Sequence, residues 1–245
     1  MLMYSSVHVP SDERLVTFLK PHSFEAEQFR RLRQRVEECA AQRGTRVLAL
    51  TSAVASDGKT LVAINLAGAL AGGRSSRILL IDADLRCPSV ASTLAMDVGG
   101  RDLIHALDSP LAQLDRAVHH LEGGSLDVLP CGRSRPDAYE VLTSPAFAAL
   151  IAEARRRYDF VVLDTPPVIP LPDTALLRPT VDGYLVVVSA HATPRKLVAE
   201  TLNQLDPPSV LGLVFNRDDQ PLFGYYRSSY SRYFRDYTRG LEANP

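Results

Sequence analysis

Four short segments carry side chains suited to a phosphorylated ligand and a divalent cation. The first is Ser52-Ala53-Val54-Ala55-Ser56-Asp57-Gly58-Lys59-Thr60. A β-type run from Arg46 to Thr51 precedes it, and a run of Ala, Leu and Ile from Gly58 to Ala71 follows. A strand that turns into a helix aims backbone N–H groups and a helix N-terminus at an anion. In such a loop the backbone from Ala53 to Leu61 surrounds the phosphates, Lys59 reaches the β- and γ-phosphates and Thr60 ligates Mg²⁺. Ala53 stands where the strict pattern has Gly, and the competing reading is a capped helix start with a surface lysine. The second segment is Ile81-Asp82-Ala83-Asp84-Leu85-Arg86-Cys87-Pro88. Asp82 and Asp84 leave a strand end on the same side and repel unless a cation or proton lies between them. Mg²⁺, which takes hard oxygen ligands, is such a cation. Arg86 offsets phosphate charge or pairs with a carboxylate. The plainer alternative is a solvated turn.

The third segment closes the apolar run Tyr158 to Leu163 with Asp164-Thr165-Pro166-Pro167. An acidic residue in that place is a second metal anchor in phosphate-loop proteins, or else a turn or helix-cap aspartate. The fourth follows Val210 to Phe215, where Asn216 offers an amide to a base edge or serves a turn.

The elements that must position these groups are legible as an alternation. Ser23 caps a helix reaching about Ala41, with Phe29, Leu32 and Val36 at helical spacing. Strands are expected over 46–51, 77–81, 125–129, 158–163, 184–189 and 210–215. Helices are expected over 58–71, 144–157 and 194–205, the last with proline in its first turn. Apolar runs without polar alternation fit strands buried on both faces, so the expected fold is α/β, a three-layer, mostly parallel sheet flanked by helices. Crossovers between parallel strands wind right-handed. Ala53, Asp82, Asp164 and Asn216 then all fall at the carboxyl ends of strands, the edge where open α/β sheets bind ligands.

The chain has 245 residues, 46% hydrophobic and 22% charged, with net charge −1. This excludes a wholly disordered or collagen-like chain and a polyelectrolyte. Three cysteines, Cys39, Cys87 and Cys131, form neither a disulfide framework nor a zinc site and suit a reducing compartment. No leader pattern and no apolar run of about 18 residues is present, so membrane association is expected to come through a partner. Residues 1–22 read as a flexible arm with Pro10 and Pro21 as breakers, 23–219 as a nucleotide-binding domain and 220–245 as a flexible tail. His22, His119 and His120 lack metal-ligand context.

Five of the nine tyrosines, Tyr225, Tyr226, Tyr230, Tyr233 and Tyr237, fall in the tail with Arg227, Arg232, Arg235 and Arg239 between them. Aromatic rings interleaved with arginines fit a nucleic-acid patch, a partner interface or a set of phosphate acceptors. About 20 extended residues span up to roughly 70 Å, enough to reach the chain's own site or a neighbour's. Glu27, Arg30 and Arg33 share a helix face and, taken alone, read as intrahelical pairing.

These motifs together resemble the bacterial tyrosine kinases of the polysaccharide co-polymerase type, over about residues 23–239. The shared features are the phosphate loop, Asp-x-Asp-x-Arg at Asp82, Asp84 and Arg86, the run ending in Asp164, Glu-x-x-Arg-x-x-Arg at Glu27, Arg30 and Arg33, and the tyrosine cluster. The resemblance implies a P-loop NTPase fold of the MinD/ParA-like group and an ATP- and Mg²⁺-dependent protein-tyrosine kinase that phosphorylates its own tail and regulates exopolysaccharide or capsule export. It implies Lys59, Asp82, Asp84 and Arg86 as catalytic, with Asp82 the base, and Thr60, Asp84 and Asp164 as holders of the metal. Glu27, Arg30 and Arg33 become a subunit contact in a ring. The implied partners are a membrane co-polymerase segment and a phosphotyrosine phosphatase, with no nucleic acid, at the cytoplasmic face of the membrane. Ala55-Ser56-Asp57 replaces the Pro-Gly-Glu common in relatives, which keeps a nucleotide-binding pseudokinase scaffold open. A MinD/ParA-type switch ATPase stays open too, although Val54 stands where those proteins carry a signature lysine.

Overall fold

The computed structural model describes residues 6–7, 12–73, 76–108, 114–121, 125–170 and 173–218. The tail and its five clustered tyrosines lie outside the described residues. The described strands are β1 (Ser6–Val7), β2 (Val47–Ser52), β3 (Ile78–Asp82), β4 (His119–Leu121), β5 (Leu126–Leu129), β6 (Phe160–Asp164), β7 (Gly183–Ser189) and β8 (Val210–Asn216). They form one sheet in the order β1-β4-β5-β3-β6-β2-β7-β8. From β5 to β8 all neighbours are parallel, and only β4 and β5 run antiparallel.

The helices are α1 (Val16–Leu19), α2 (Phe24–Arg43), α3 (Lys59–Ala71), α4 (Val90–Thr93), α5 (Leu103–Asp108), α6 (Leu114–Ala117), α7 (Ala138–Leu142), α8 (Pro145–Arg157), α9 (Asp173–Leu176) and α10 (Arg195–Gln204). Side chains alternate across a strand, and the core divides accordingly. Leu48, Leu50, Leu80, Val162 and Val187 face α2 and α3. Val47, Leu79, Val161 and Leu163 face α5 to α8, and Tyr184 and Val186 face α10. Strands β2, β3, β6 and β7 are buried at every position. This is why their sequences run apolar without alternation.

The long helices carry the start and stop signals their sequences contain. Ser23 Oγ accepts the Ala26 N–H at 3.0 Å and opens α2, and Gly44, at φ +69°, closes it. Ser144 Oγ accepts the Phe147 N–H at 3.1 Å ahead of α8.

The N-terminal region departs from expectation. Residues 12–22 do not form a loose arm but pack on α3. Leu15 is fully buried. Asn65 on α3 accepts from the Thr17 N–H and hydroxyl, both at 3.1 Å, and donates to the Arg14 carbonyl at 3.0 Å. A Cβ on Gly68 would meet the Phe18 ring at 2.6 Å, so glycine there lets the segment approach the helix. Leu15 and Phe18 bury enough apolar surface to hold a stretch that two prolines flank.

Candidate nucleotide site

β2 ends at Ser52, and the chain turns through 53–58 into α3, whose first residue is Lys59. Gly58 adopts φ +91°, and a Cβ there would meet Asn216 Nδ2 at 2.2 Å. Only glycine both takes this turn and admits that side chain. The loop is tied down from within and from β8. Ser52 Oγ donates to the Val54 carbonyl at 2.7 Å, and Asn216 Nδ2 donates to the Asp57 carbonyl at 2.9 Å. The Asp57 side chain turns towards the loop between β7 and α10, where it accepts the Thr193 hydroxyl at 2.7 Å.

Parallel pairing sets the carboxylates beside this loop. Asp82 and Asp164 are register partners on adjacent strands, and Leu50 of β2 is the other partner of Asp164. Lys59 Nζ bonds Asp84 Oδ2 at 2.8 Å and lies 3.9 Å from Asp164 Oδ1. Thr60 Oγ1 donates to Asp164 Oδ2 at 2.5 Å and lies 2.9 Å from Ser89 Oγ. Asp84 Oδ1 accepts the Cys87 N–H at 3.0 Å. Asp82 accepts from the Ser89 and Val90 N–H groups, each at 3.0 Å, and from the Asp84 N–H at 3.3 Å. Asp164 Oδ1 is buried without a hydrogen-bond partner.

Three buried carboxylates therefore face one partly buried ammonium. Burial pushes the Asp82 carboxyl well above the usual carboxylate range, and the neighbouring Asp164 charge pushes it further. Burial also raises Asp164, while Lys59 and the Thr60 hydrogen bond restrain the rise. Burial alone would lower Lys59, but the surrounding carboxylates outweigh it and the net shift is upward. A site with excess negative charge and an unsatisfied buried oxygen suits a cation. Thr60, Asp84 and Asp164 supply the oxygen donors that Mg²⁺ takes. Among the described residues no cluster of three or more His, Cys, Asp or Glu is arranged as a metal cage.

Other expected site residues make their hydrogen bonds to groups other than Lys59, Thr60 and the carboxylates beside them. Arg86 points to α9, gripping the buried Asp173 through Nε and through Nη2 at 3.1 Å. Glu27 and Arg30 pair along α2, and Arg33 Nη1 donates to the Ala69 carbonyl of α3 at 3.1 Å. Within the single chain Arg30 also reaches the Pro21 carbonyl, and Arg33 ties α2 to α3. Sequence reasoning missed Ser89, Asp173 and Thr193. Thr193 precedes a proline at a helix start, and nothing in the sequence around it points to a partner in the loop after β2. Asp173 lies 87 residues from the arginine it holds and gave no local signal.

A strand-loop-helix with Gly-Lys-Thr at its turn, and carboxylates closing the two strands beside it, defines a P-loop NTPase fold. Residues 45–205 match the family described as an AAA domain. The tyrosine-protein kinase YwqD of Bacillus subtilis (strain 168) is 31% identical over 219 residues, 86% of this chain and 90% of that protein. The succinoglycan biosynthesis transport protein ExoP of Rhizobium meliloti (strain 1021) is 32% identical over 232 residues, 89% of this chain but 29% of that protein. The chain thus spans less than a third of ExoP and nearly the whole of YwqD. Among solved structures, the chimerical protein CapA2B2 superposes with a TM-score of 0.75 at 26% identity, covering 87% of this chain and 94% of that one. A ParA family ATPase from Chlorobium tepidum TLS, at 20% identity and TM-score 0.61 over 78% of this chain and 80% of that one, shares the fold. The chain belongs to the AAA-domain family and, within it, to the bacterial tyrosine-protein kinases.

Proposed function

We propose that the chain is an ATP- and Mg²⁺-dependent protein-tyrosine kinase whose acceptors are Tyr225, Tyr226, Tyr230, Tyr233 and Tyr237 of its own C-terminal segment. The observation that carries this reading is the convergence of Lys59, Thr60, Asp84 and Asp164 beside one loop at one sheet edge. The loop amides and Lys59 bind the phosphates and stabilise charge on the transferring group. Thr60, Asp84 and Asp164 would hold Mg²⁺, which neutralises phosphate charge when bound. Lys59 leaves Asp84 to meet the phosphates. Asp82 is the candidate base for the tyrosine proton, since a phenol with a pKa of about 10 needs a positioned acceptor.

The name of ExoP supports a role in exopolysaccharide biosynthesis and transport, and that of YwqD supports the kinase activity. In this reading a membrane co-polymerase segment is the activator and a phosphotyrosine phosphatase the antagonist. No helix among the described residues is long and apolar enough to cross a membrane. In this reading that partner recruits the chain to the inner membrane face. Glu27, Arg30 and Arg33 are the proposed subunit contact of a ring in which one tail reaches the next site.

The test is incubation with γ-labelled ATP and mapping of the label. The parent should label its tail, and Lys59→Met and Asp82→Asn should not. Label persisting in either variant removes that residue's role. Nucleotide binding without label in the parent, with the activating segment supplied, would favour the scaffold reading. ATP-dependent dimerisation without phosphotyrosine would favour a switch ATPase.

A further inference from the structure

Asp57 places a carboxylate inside a loop whose backbone suits anions, and the structure shows how that charge is restrained. Residue 57 is pinned from two strand ends. Its carbonyl accepts from Asn216 Nδ2 at 2.9 Å, at the last residue of β8. Its Oδ1 accepts from the Thr193 hydroxyl at 2.7 Å, in the loop after β7. Thr193 Oγ1 itself accepts the Ser189 N–H at 3.1 Å, so its one proton is directed at Asp57. Asp57 is 3% exposed, and its Oδ2 is buried with no hydrogen-bond partner. Among the described residues the Thr193 hydroxyl is its one side-chain donor, and no cation pairs with it. A buried carboxylate with so few partners seeks donors strongly. An aspartate side chain can also take backbone N–H groups one or two residues further on, and here those are loop amides, the groups a phosphate needs.

We propose that Thr193 is a positioning residue for nucleotide binding: it holds the Asp57 carboxylate on the β7–α10 side, and so keeps the loop amides available to phosphate oxygens. The inference rests on the nucleotide-site reading above but not on phosphoryl transfer. Without Thr193 the carboxylate acts as a tethered competitor for the phosphate, through both its hydrogen bonds and its charge. Thr193 is also one of the residues lining a groove of about 850 Å³, with Val198, Leu202, Leu213 and Phe215. Nucleotide affinity consequently reports the position of the β7–α10 loop.

The experiment is a double-mutant cycle read by direct binding of a fluorescent ADP analogue with Mg²⁺, with no activity measured. Thr193→Val should weaken binding about tenfold. Thr193→Ser, which keeps the hydroxyl, should bind as the parent does. In an Asp57→Asn background, where no charge remains to restrain, Thr193→Val should change affinity less than twofold. The Thr193→Val loss in the parent background should also shrink as salt is raised. Equal losses in both backgrounds, or no loss in either, would overturn the proposal. If Thr193→Val fails to fold, Asp57→Asn alone decides: it should bind at least as tightly as the parent, and a fivefold weakening would overturn the proposal. A parent chain that does not bind the analogue at all, with Mg²⁺ present, refutes the nucleotide-site reading itself.

Discussion

Asp164→Asn should make the nucleotide-free protein more stable while removing its ability to use Mg²⁺-ATP. Asp164 is fully buried, pairs in register with Asp82 and leaves Oδ1 without a hydrogen bond. Its carboxyl is pushed from 3.8 up to about 6, burial being the main cause. A group whose pKa is raised by folding favours the fold at low pH, where it is protonated, and this benefit is lost as pH rises through the folded value. At pH 8 the ionised side chain therefore opposes folding. One unit is worth about 1.4 kcal/mol, so a rise of roughly two units sets a ceiling near 3 kcal/mol. Lost attraction to Lys59 and the desolvation of a new amide reduce this to about 1–2 kcal/mol. For a chain of this size that is roughly 2–8 °C in Tm. The assay is denaturation in EDTA at pH 8 and pH 5. The variant should lead by that margin at pH 8, and the gap should close at pH 5, where the parent's carboxyl is largely protonated. A variant less stable than the parent at pH 8, or a gap independent of pH, would refute the argument that charge excess strains this site. The pattern is a cost in stability accepted for function.

Three further outcomes follow from geometry already described. Gly58→Ala meets both a positive φ and the Asn216 side chain, and should destabilise by about 1–3 kcal/mol while abolishing nucleotide binding, read by melting and by titration. Asn65→Ala removes the acceptor for Thr17 and the donor to Arg14; a loss of about 2–3 kcal/mol and faster hydrogen exchange in residues 12–22 are expected, and unchanged exchange would contradict the packed assignment. Ser144→Ala deletes the cap of α8 and should cost about 1 kcal/mol in urea unfolding without altering nucleotide affinity.

The parts of this molecule that sequence reveals are those governed by local pattern. β2, β3, β6 and β7 are buried on both faces, so their apolar runs read directly as central parallel strands. Ser23, Ser144 and Gly58 mark helix boundaries because capping and turn chemistry depend on one residue type. Short elements escaped. α1, α4, α6 and α9 are single turns of four residues, too brief for a 3.6-residue period. β4 reads His-His-Leu and runs against its neighbour; three residues, two of them histidine, are too few and too polar to read as a strand, although Gly123-Gly124 follows them. The positions of the acidic residues at strand ends were legible, but their partners were not. Lys59 to Asp84, Arg86 to Asp173 and Asp57 to Thr193 join residues that only tertiary packing brings together. Asp57 shows the limit well: its place in the loop is plain from sequence, whereas the direction of its side chain is decided by a hydroxyl 136 residues away.

The grip of Arg86 on Asp173 ties the segment after β3 to the start of α9 by a bidentate ion pair whose acidic half is 1% exposed. Such a staple does not release one end cheaply, because freeing the guanidinium strands a carboxylate in the interior. Any reaction stage that recruits Arg86 to a ligand must therefore carry the α9 region along with it or supply Asp173 with a replacement. Engagement of that arginine is thus a concerted rearrangement across the cleft, not the swing of a lone side chain.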